Sequence, residues 1–147
     1  EKPFFIHNVD VLSAIDLNAL YAQHVESGAQ ATVAVQPRPK GRALLFDPAG
    51  RLAGWEDAPG GRREWAGAPL PLVERLGFCG IHVMNPALLG RLTESGAFPI
   101  VSAYLRLAGE GADIRAFQAD AAWWTDVGTP EKLEAVRRLA AEGRLPV

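Results

Sequence analysis

Two aspartates have the sequence surroundings of carboxylates that bind a metal ion. Asp10 follows the apolar run Phe4-Phe5-Ile6-His7-Asn8, and Asp126 lies in Trp124-Thr125-Asp126-Val127-Gly128-Thr129-Pro130. In open α/β sheets, ligands gather beyond the carboxyl ends of parallel strands. Two hard carboxylates there suit Mg²⁺, which prefers a few carboxylates, waters and substrate phosphates. An aspartate after a strand is also a common turn or capping residue, and that interpretation stays open for both positions.

The elements that must position these aspartates begin with a strand–helix–strand pattern. The run from Phe4 to Asn8 is typical of a short buried strand. Asp16 stands as an N-cap before a helical stripe, and Gly28 stands where a helix C-terminal glycine belongs. Ala31 to Val35 predicts a second buried strand, so residues 1–36 predict a βαβ unit with a parallel pair of strands. The helical stripe consists of Leu17, Leu20, Tyr21, His24 and Val25.

The middle of the chain predicts an antiparallel hairpin followed by a long surface segment. The runs 43–46 and 52–55 are apolar and flank the turn Asp47-Pro48-Ala49-Gly50, which is a hairpin pattern. The stretch from Asp57 to Pro71 is rich in Gly, Pro, Ala and Arg. Long loops in compact domains are often functional or mobile, so this segment is expected to lie on the surface.

The last half of the chain predicts three further strands or extended segments and three helices. Thr129 is placed as the N-cap of the final helix, with Pro130 at its first position. The expected inward stripe of that helix is Leu133, Val136 and Ala140. The predicted extended segments are 77–84, 114–119 and 123–128, and the other two predicted helices are 87–92 and 99–107.

Composition excludes several classes of protein. The chain has 147 residues, 48% hydrophobic and 22% charged, which is expected of a single domain spanning residues 1–147. A net charge of −2 argues against a generic nucleic-acid binder. No apolar run approaches the ~18–20 residues that cross a bilayer, and no signal peptide is visible, so a cytoplasmic protein without a membrane partner is expected. The one cysteine, Cys79, excludes an internal disulfide and is interpreted as a small buried residue.

Three stretches of the chain together resemble one enzyme family. Phe5-Ile6-His7-Asn8-Val9-Asp10 looks like a strand that ends in a metal-binding aspartate, and Phe78-Cys79-Gly80-Ile81-His82-Val83 looks like a substrate-side strand. Trp124-Thr125-Asp126-Val127-Gly128-Thr129-Pro130-Glu131, the most specific of the three, looks like a second metal-binding segment. In this order they resemble the sugar-phosphate nucleotidyltransferases, which make nucleoside-diphosphate sugars. The compact length is similar to that of bacterial members acting on N-acetylmuramate 1-phosphate or mannose 1-phosphate.

The resemblance implies a fold and a reaction. The fold would be α/β, a Rossmann-like and mostly parallel sheet with helices on both faces and a small antiparallel hairpin. The chain would be the C-terminal two-thirds of the enzyme. The reaction would transfer a nucleotidyl group from a nucleoside triphosphate (NTP) to a sugar 1-phosphate, giving a nucleoside-diphosphate sugar and pyrophosphate. Mg²⁺ would be the cofactor, and many relatives assemble into homo-oligomers.

The same resemblance assigns site residues. Asp10 and Asp126 would hold Mg²⁺ and so be the catalytic residues. Glu56 and Gly80 would contact the sugar, although Glu56 could be an ordinary exposed acid and Gly80 could serve only to let a neighbouring backbone approach. Trp124 could cover the sugar or pack in the core. The expected substrate-binding residues are Asn8, Glu56, Gly80 and Trp124.

The chain departs from the family pattern at two places. The Gly-rich nucleotide-binding loop is absent and would precede Glu1, so these residues alone are expected to be inactive. The family's Glu-Lys-Pro after the hairpin reads Trp55-Glu56-Asp57, which leaves the sugar undetermined. Two other interpretations remain. One is a glycosyltransferase that uses nucleotide sugars, whose usual Asp-x-Asp is Asn8-Val9-Asp10 here. The other is a non-catalytic regulatory module that binds sugar phosphates or nucleotides.

Overall fold

Nine strands and four helices form from residues 2–146, the part of the chain that this computed structural model describes. The strands are β1 (Phe4–His7), β2 (Val11–Ser13), β3 (Ala31–Pro37), β4 (Ala43–Phe46), β5 (Leu52–Glu56), β6 (Arg63–Trp65), β7 (Glu74–Met84), β8 (Ile114–Gln118) and β9 (Trp124–Asp126). The helices are α1 (Leu17–Ser27), α2 (Pro86–Leu89), α3 (Ile100–Gly109) and α4 (Pro130–Ala141).

A seven-stranded mixed sheet is built around the long strand β7. Its path is β6-β5-β4-β7-β3-β8, and β1 also pairs with β7. The 11 residues of β7 let one edge serve two partners, since Leu76 faces Leu44 of β4 and His82 faces Ile6 of β1. The β3–β8 ladder is parallel, and the other ladders of the sheet are antiparallel.

The expectation of a mostly parallel, Rossmann-like sheet is wrong. Strands β1 and β3 do run in the same direction, but they are not neighbours, because β7 lies between them and pairs antiparallel with both. Phe4 and Ala31 face Met84 from its two sides. The apolar runs at β3 and β7 correctly predicted buried strands, whereas the run at β1 did not, since none of its four residues is buried. Apolar periodicity also carries no information on strand direction or on which strand will be the neighbour.

Two hydrophobic clusters lie on opposite faces of this sheet. Because successive side chains of a strand alternate between faces, Val33 and Val35 of β3 join one cluster and Ala34 joins the other. The first cluster includes Tyr104 from α3, and the second includes Leu20 from α1. The sheet is therefore covered by a helix on each side, which holds the loops beyond its strands in place.

The local signals of the helices and the hairpin are largely confirmed. The Asp16 carboxylate accepts from the Ala19 N–H at 3.0 Å, and Gly28 ends α1 in the left-handed conformation. The Thr129 hydroxyl accepts from Lys132 N–H at the start of α4. The hairpin forms as β4 and β5, and the segment 57–71 contains the short strand β6.

Both predicted helical stripes are too wide. In α1, Leu20 and His24 are buried, whereas Leu17 and Val25 are 40% and 56% exposed. In α4 no residue is buried, and Ala140 is exposed. Of the helices formed by residues 2–146, none combines the length and apolar character that crossing a membrane requires.

Candidate functional site

The two predicted metal-binding aspartates lie side by side. Strands β2 and β9 form a separate antiparallel ribbon in which Val11 faces Asp126, and the Val127 N–H donates to the Asp10 carbonyl at 2.8 Å. A Cβ atom built on Gly128 would lie 3.2 Å from Asp126 Oδ1 and 3.5 Å from Asp10 Oδ2. Both carboxylates thus border the open space over one glycine.

The route by which the aspartates meet differs from the expected one. The sequence placed both at the ends of strands in an open, mostly parallel sheet, whereas Asp126 belongs to a two-stranded antiparallel ribbon outside the main sheet. We name the surface beside this ribbon the aspartate crevice and define it by Asn8, Asp10, Gly80, Trp124 and Asp126.

Two carboxylates such as these would suit an Mg²⁺ ion whose other ligands are waters and substrate phosphates. Among residues 2–146, no three His, Cys, Asp or Glu side chains gather as a metal-binding group. Asp10 and Asp126 offer two carboxylates, which is the number of protein carboxylates that Mg²⁺ commonly takes when phosphates complete its coordination. A closed, all-protein metal site would need more ligands than these two aspartates provide.

Asp126 also has a cationic partner. Its Oδ2 accepts from Lys132 Nζ at 2.5 Å, and its Oδ1 accepts from the Gly128 N–H at 3.1 Å. The hydrogen bond from Lys132, opposed by partial burial and aided by the Gly128 N–H, holds the pKa of this carboxyl below its usual value. The group is thus kept ionised, as a metal ligand must be.

Gly80 allows the Asn8–Asp10 turn to lie against β7. Its φ is +74°, and an added Cβ would lie 2.8 Å from Asn8 Nδ2 and 3.1 Å from Val11 Cγ2. The Asn8 N–H donates to the Gly80 carbonyl at 2.9 Å. The close approach predicted at this glycine is therefore made by the side chains of Asn8 and Val11. Of these two residues, the exposed Asn8 belongs to the crevice.

Trp124 forms one wall of the crevice. Its indole N–H donates to the Cys79 carbonyl at 2.7 Å, which fixes the ring beside β7. Trp124 and Asp126 are two residues apart on β9 and so project from the same face. The other side of the ring meets Arg38, whose Cζ is 5.3 Å from its centroid. The sequence patterns did not single out Arg38, and its one signal was a basic loop directly after a buried strand.

Glu56 is neither exposed nor open to a sugar. Its side chain is fully buried and accepts from Arg63 Nε at 2.9 Å, Arg75 Nε at 2.5 Å and the Gly60 N–H at 3.3 Å. Burial alone would raise the pKa of this carboxyl, but the hydrogen bonds from Arg63 and Arg75 outweigh it and place the pKa below the usual value. The carboxylate is satisfied within the protein, so this geometry gives no support to a direct sugar contact.

A basic groove adjoins the crevice. It has a volume of about 400 Å³ and runs between the hairpin, β7 and α3. Arg38 and Phe78 line it at the crevice end. Farther along, Trp55 lies between two arginines, with Arg42 Cζ at 6.0 Å and Arg62 Cζ at 5.8 Å from its ring centroid.

The other candidate side chains are structural. Cys79 is fully buried, and burial raises the pKa of its thiol to about 11, so it is not a nucleophile at neutral pH. His82 is buried and shares a hydrogen bond with the Tyr104 hydroxyl at 2.5 Å. His7, on β1, is exposed.

Neither the models of protein families nor the curated proteins that we compared with this sequence gave a match. The function of the chain is therefore inferred from its residues and their geometry.

Proposed function

We propose that the chain carries the metal-binding and sugar-phosphate-binding part of a Mg²⁺-dependent sugar-1-phosphate nucleotidyltransferase. The observation that carries the proposal is the juxtaposition of Asp10 and Asp126, which are 116 positions apart in the sequence and border the same glycine. The resemblance of the segments around both aspartates to that family supports the same reaction.

The reaction requires two anions to approach each other. An oxygen of the sugar phosphate forms a bond to the α-phosphorus of the NTP, while the bond from that phosphorus to the bridging oxygen breaks and pyrophosphate leaves. The phosphate monoester is already a nucleophile, so no side chain has to accept a proton or become covalently modified. Catalysis is then a matter of alignment and charge neutralisation.

The residues of the crevice have separate tasks in this scheme. Asp10 and Asp126 would hold Mg²⁺, which supplies charge neutralisation and alignment of phosphate oxygens when bound. The exposed Asn8 amide lies at the edge of the crevice, where it can donate to a sugar hydroxyl. Trp124 gives an apolar wall that excludes water from one side of the sugar.

Lys132 is placed to exchange partners. Its ammonium group forms an ion pair with the Asp126 carboxylate. Metal binding at Asp126 would release Nζ beside the phosphates, where a mobile ammonium is an effective partner for an anion.

Metal binding tests the proposal without requiring turnover. Mn²⁺ replaces Mg²⁺ at many carboxylate sites and is visible by electron paramagnetic resonance, so its affinity can be measured directly on this chain. Asp10→Asn and Asp126→Asn are each expected to weaken Mn²⁺ binding at least tenfold. Asp57→Asn, an exposed aspartate in the loop after β5, is the matched control and is expected to bind as the wild type does.

Turnover is tested on the natural gene product that contains this sequence. A screen of pyrophosphate release across NTPs and sugar 1-phosphates is expected to find one productive pair that depends on both aspartates. Unchanged Mn²⁺ affinity in both aspartate variants would contradict the proposal. Binding of metal and sugar phosphate with no turnover for any pair would favour the regulatory module, and release of nucleoside diphosphate from a nucleotide sugar would favour the glycosyltransferase.

A further inference from the structure

The side chain of Arg38 contacts Trp124, Phe78 and Gly77 at the Trp124 end of the crevice. Its guanidinium lies over the indole ring of Trp124, and its Nη2 donates to the Phe78 carbonyl at 3.3 Å. Gly77 lies on its other side, where an added Cβ would come within 2.7 Å of Arg38 Cζ. A side chain at position 77 would therefore displace the guanidinium, so the glycine makes room for the arginine.

The charge of Arg38 is not neutralised within residues 2–146. No carboxylate in that range lies within ion-pair distance of it, whereas Arg62, Arg63 and Arg75 each pair with a glutamate. A guanidinium has five N–H donors, and in the same part of the chain the Phe78 carbonyl is the one acceptor that Arg38 reaches. Most of its donors are thus available to an acceptor from outside the protein.

The Arg38 guanidinium lies on the same side of the ribbon strand β9 as the approach to Asp126, through its contact with Trp124. Trp124 and Asp126 project from the same face of β9, about 7 Å apart by the rise of a strand. Arg38 also lines the basic groove together with Phe78. An anion placed over Trp124 would therefore have Arg38 on one side and the metal-binding carboxylates on the other.

We propose that Arg38 binds the phosphate group of the sugar 1-phosphate at the Trp124 end of the crevice. The identity of the ligand, a phosphate monoester, rests on the proposed function. The position of the Arg38 side chain and its available N–H donors are independent of that proposal. The planar guanidinium can contact two phosphate oxygens at once, and the Trp124 ring restricts its orientation.

The loop that carries Arg38 is held independently of its side chain. Arg75 donates from Nη1 to the Arg38 carbonyl and from Nη2 to the Gly41 carbonyl. Arg75 is itself fixed by the buried Glu56. The backbone of residues 38–41 is therefore anchored to β7, and removal of the Arg38 side chain should leave the loop in place.

Titration calorimetry of phosphate binding tests this inference. The probes are inorganic phosphate and α-D-glucose 1-phosphate, each titrated with Mg²⁺ present and again in a chelator. Arg38→Gln is expected to weaken the binding of both probes about tenfold or more, since a hydrogen-bonded charge pair is lost. Arg42→Gln is the matched control, because Arg42 is exposed in the same groove and lies over Trp55 instead. Its affinity should stay within twofold of the wild type.

Two further variants separate a binding role from a folding role. Arg38→Lys keeps the charge and is expected to retain an intermediate affinity. Gly77→Ala keeps Arg38 but displaces its guanidinium, so phosphate affinity should fall several-fold. Circular dichroism and thermal unfolding of each variant show whether the fold persists. The inference is overturned if Arg38→Gln binds phosphate as the wild type does, if Arg42→Gln loses as much, or if the wild type shows no saturable binding.

Failure of this inference can be told apart from failure of the proposed function. Arg38-dependent phosphate binding without pyrophosphate release from any substrate pair supports the anion site and counts against the nucleotidyltransferase. Pyrophosphate release with an unchanged KM for the sugar phosphate in Arg38→Gln supports the enzyme and counts against the role of Arg38.

Discussion

At the scale of single residues, burial decides which charged groups stabilise the fold and which can meet a ligand. Glu56 and Asp126 were both predicted to act in the site, and both are acids with cationic partners. Glu56 is enclosed by Arg63 and Arg75, whereas Asp126 shares its carboxylate with the half-exposed Lys132 at the edge of a crevice. Only the second arrangement leaves the carboxylate partly exposed.

Replacing Glu56 should destabilise the protein. Glu56→Gln leaves Arg63 and Arg75 without a counter-charge at a fully buried position, and we expect the free energy of unfolding to fall by about 3 kcal/mol. Urea unfolding measures this change. Glu64→Gln is the control, because its pair with Arg62 is exposed on both sides and should contribute less than about 1 kcal/mol. Equal effects of the two substitutions would show that the Glu56 cluster is not a stabilising core element.

His82 should make the protein acid-sensitive. Burial lowers its pKa to about 4 from an ordinary value of 6.5. The unfolded chain therefore takes up a proton before the folded protein does, and stability is lost as the pH falls from about 6.5 towards 4. The expected loss from this group is about 3 kcal/mol over that window.

The comparison for His82 is a variant that cannot titrate. His82→Gln keeps a polar group for the Tyr104 hydroxyl, so its free energy of unfolding should depend less on pH by the same amount. Urea unfolding at several pH values between 7 and 4 measures how the free energy of unfolding of each protein depends on pH. Parallel curves for the wild type and the variant would rule out this role. Burial also lowers the pKa of His24, and that contribution is common to both proteins.

At the scale of elements, the shape of β7 positions the crevice. This strand pairs with β1 and β4 along one edge and with β3 along the other. At Gly80 it adopts a left-handed conformation that brings its backbone against Asn8 and Val11. The turn that carries Asp10 is thereby held close to the ribbon that carries Asp126.

Gly80→Ala should cost more than a substitution at an unobstructed glycine. Gly28 has a similar positive φ, but an added Cβ there meets nothing within 4 Å, so Gly28→Ala carries only the backbone strain of about 1 kcal/mol. Gly80→Ala adds a collision with Asn8 and Val11, and we expect a total of about 2–4 kcal/mol. Thermal or urea unfolding of the two variants gives the difference. A cost at position 80 no larger than at position 28 would mean that the Asn8 turn does not depend on this contact.

At the scale of the whole molecule, stability should be greatest at the centre of the main sheet and least at its attachments. Strands β3 and β7 are each paired on both edges, and residues 31–35 are fully buried. Helix α4 has no buried residue, and the β2–β9 ribbon has only three residues in each strand. The crevice thus combines a rigid floor on β7 with a less protected wall.

Hydrogen exchange should reproduce this gradient. Amides of β3 and of the C-terminal half of β7 are expected to exchange only through global unfolding, and those of α4 and the β2–β9 ribbon by local opening. Exchange followed by mass spectrometry or NMR at increasing low denaturant separates the two regimes. If α4 were as protected as β3, the ribbon and helix would form one cooperative unit with the sheet, contrary to this expectation.

The sequence alone determined most of the elements and their ends. Apolar runs predicted the buried strands β3 and β7, and the capping chemistry of Asp16, Gly28 and Thr129 predicted where α1 and α4 begin or end, because these signals depend on residues close together in the chain. It also singled out Asp10 and Asp126. These two aspartates do lie close together, but an antiparallel ribbon and not a pair of parallel strands brings them there.

Only the tertiary structure decided strand direction, partner choice and the fate of each charged group. An apolar run is buried equally well beside a parallel or an antiparallel neighbour. No local sequence pattern therefore predicted that β7 would lie between β1 and β3. Likewise, the burial of Glu56 by Arg63 and Arg75 and the position of the Arg38 guanidinium over Trp124 depend on contacts between segments up to about 90 residues apart. Local chemistry specifies the pieces of this protein, and long-range packing specifies which of its charges can meet a ligand.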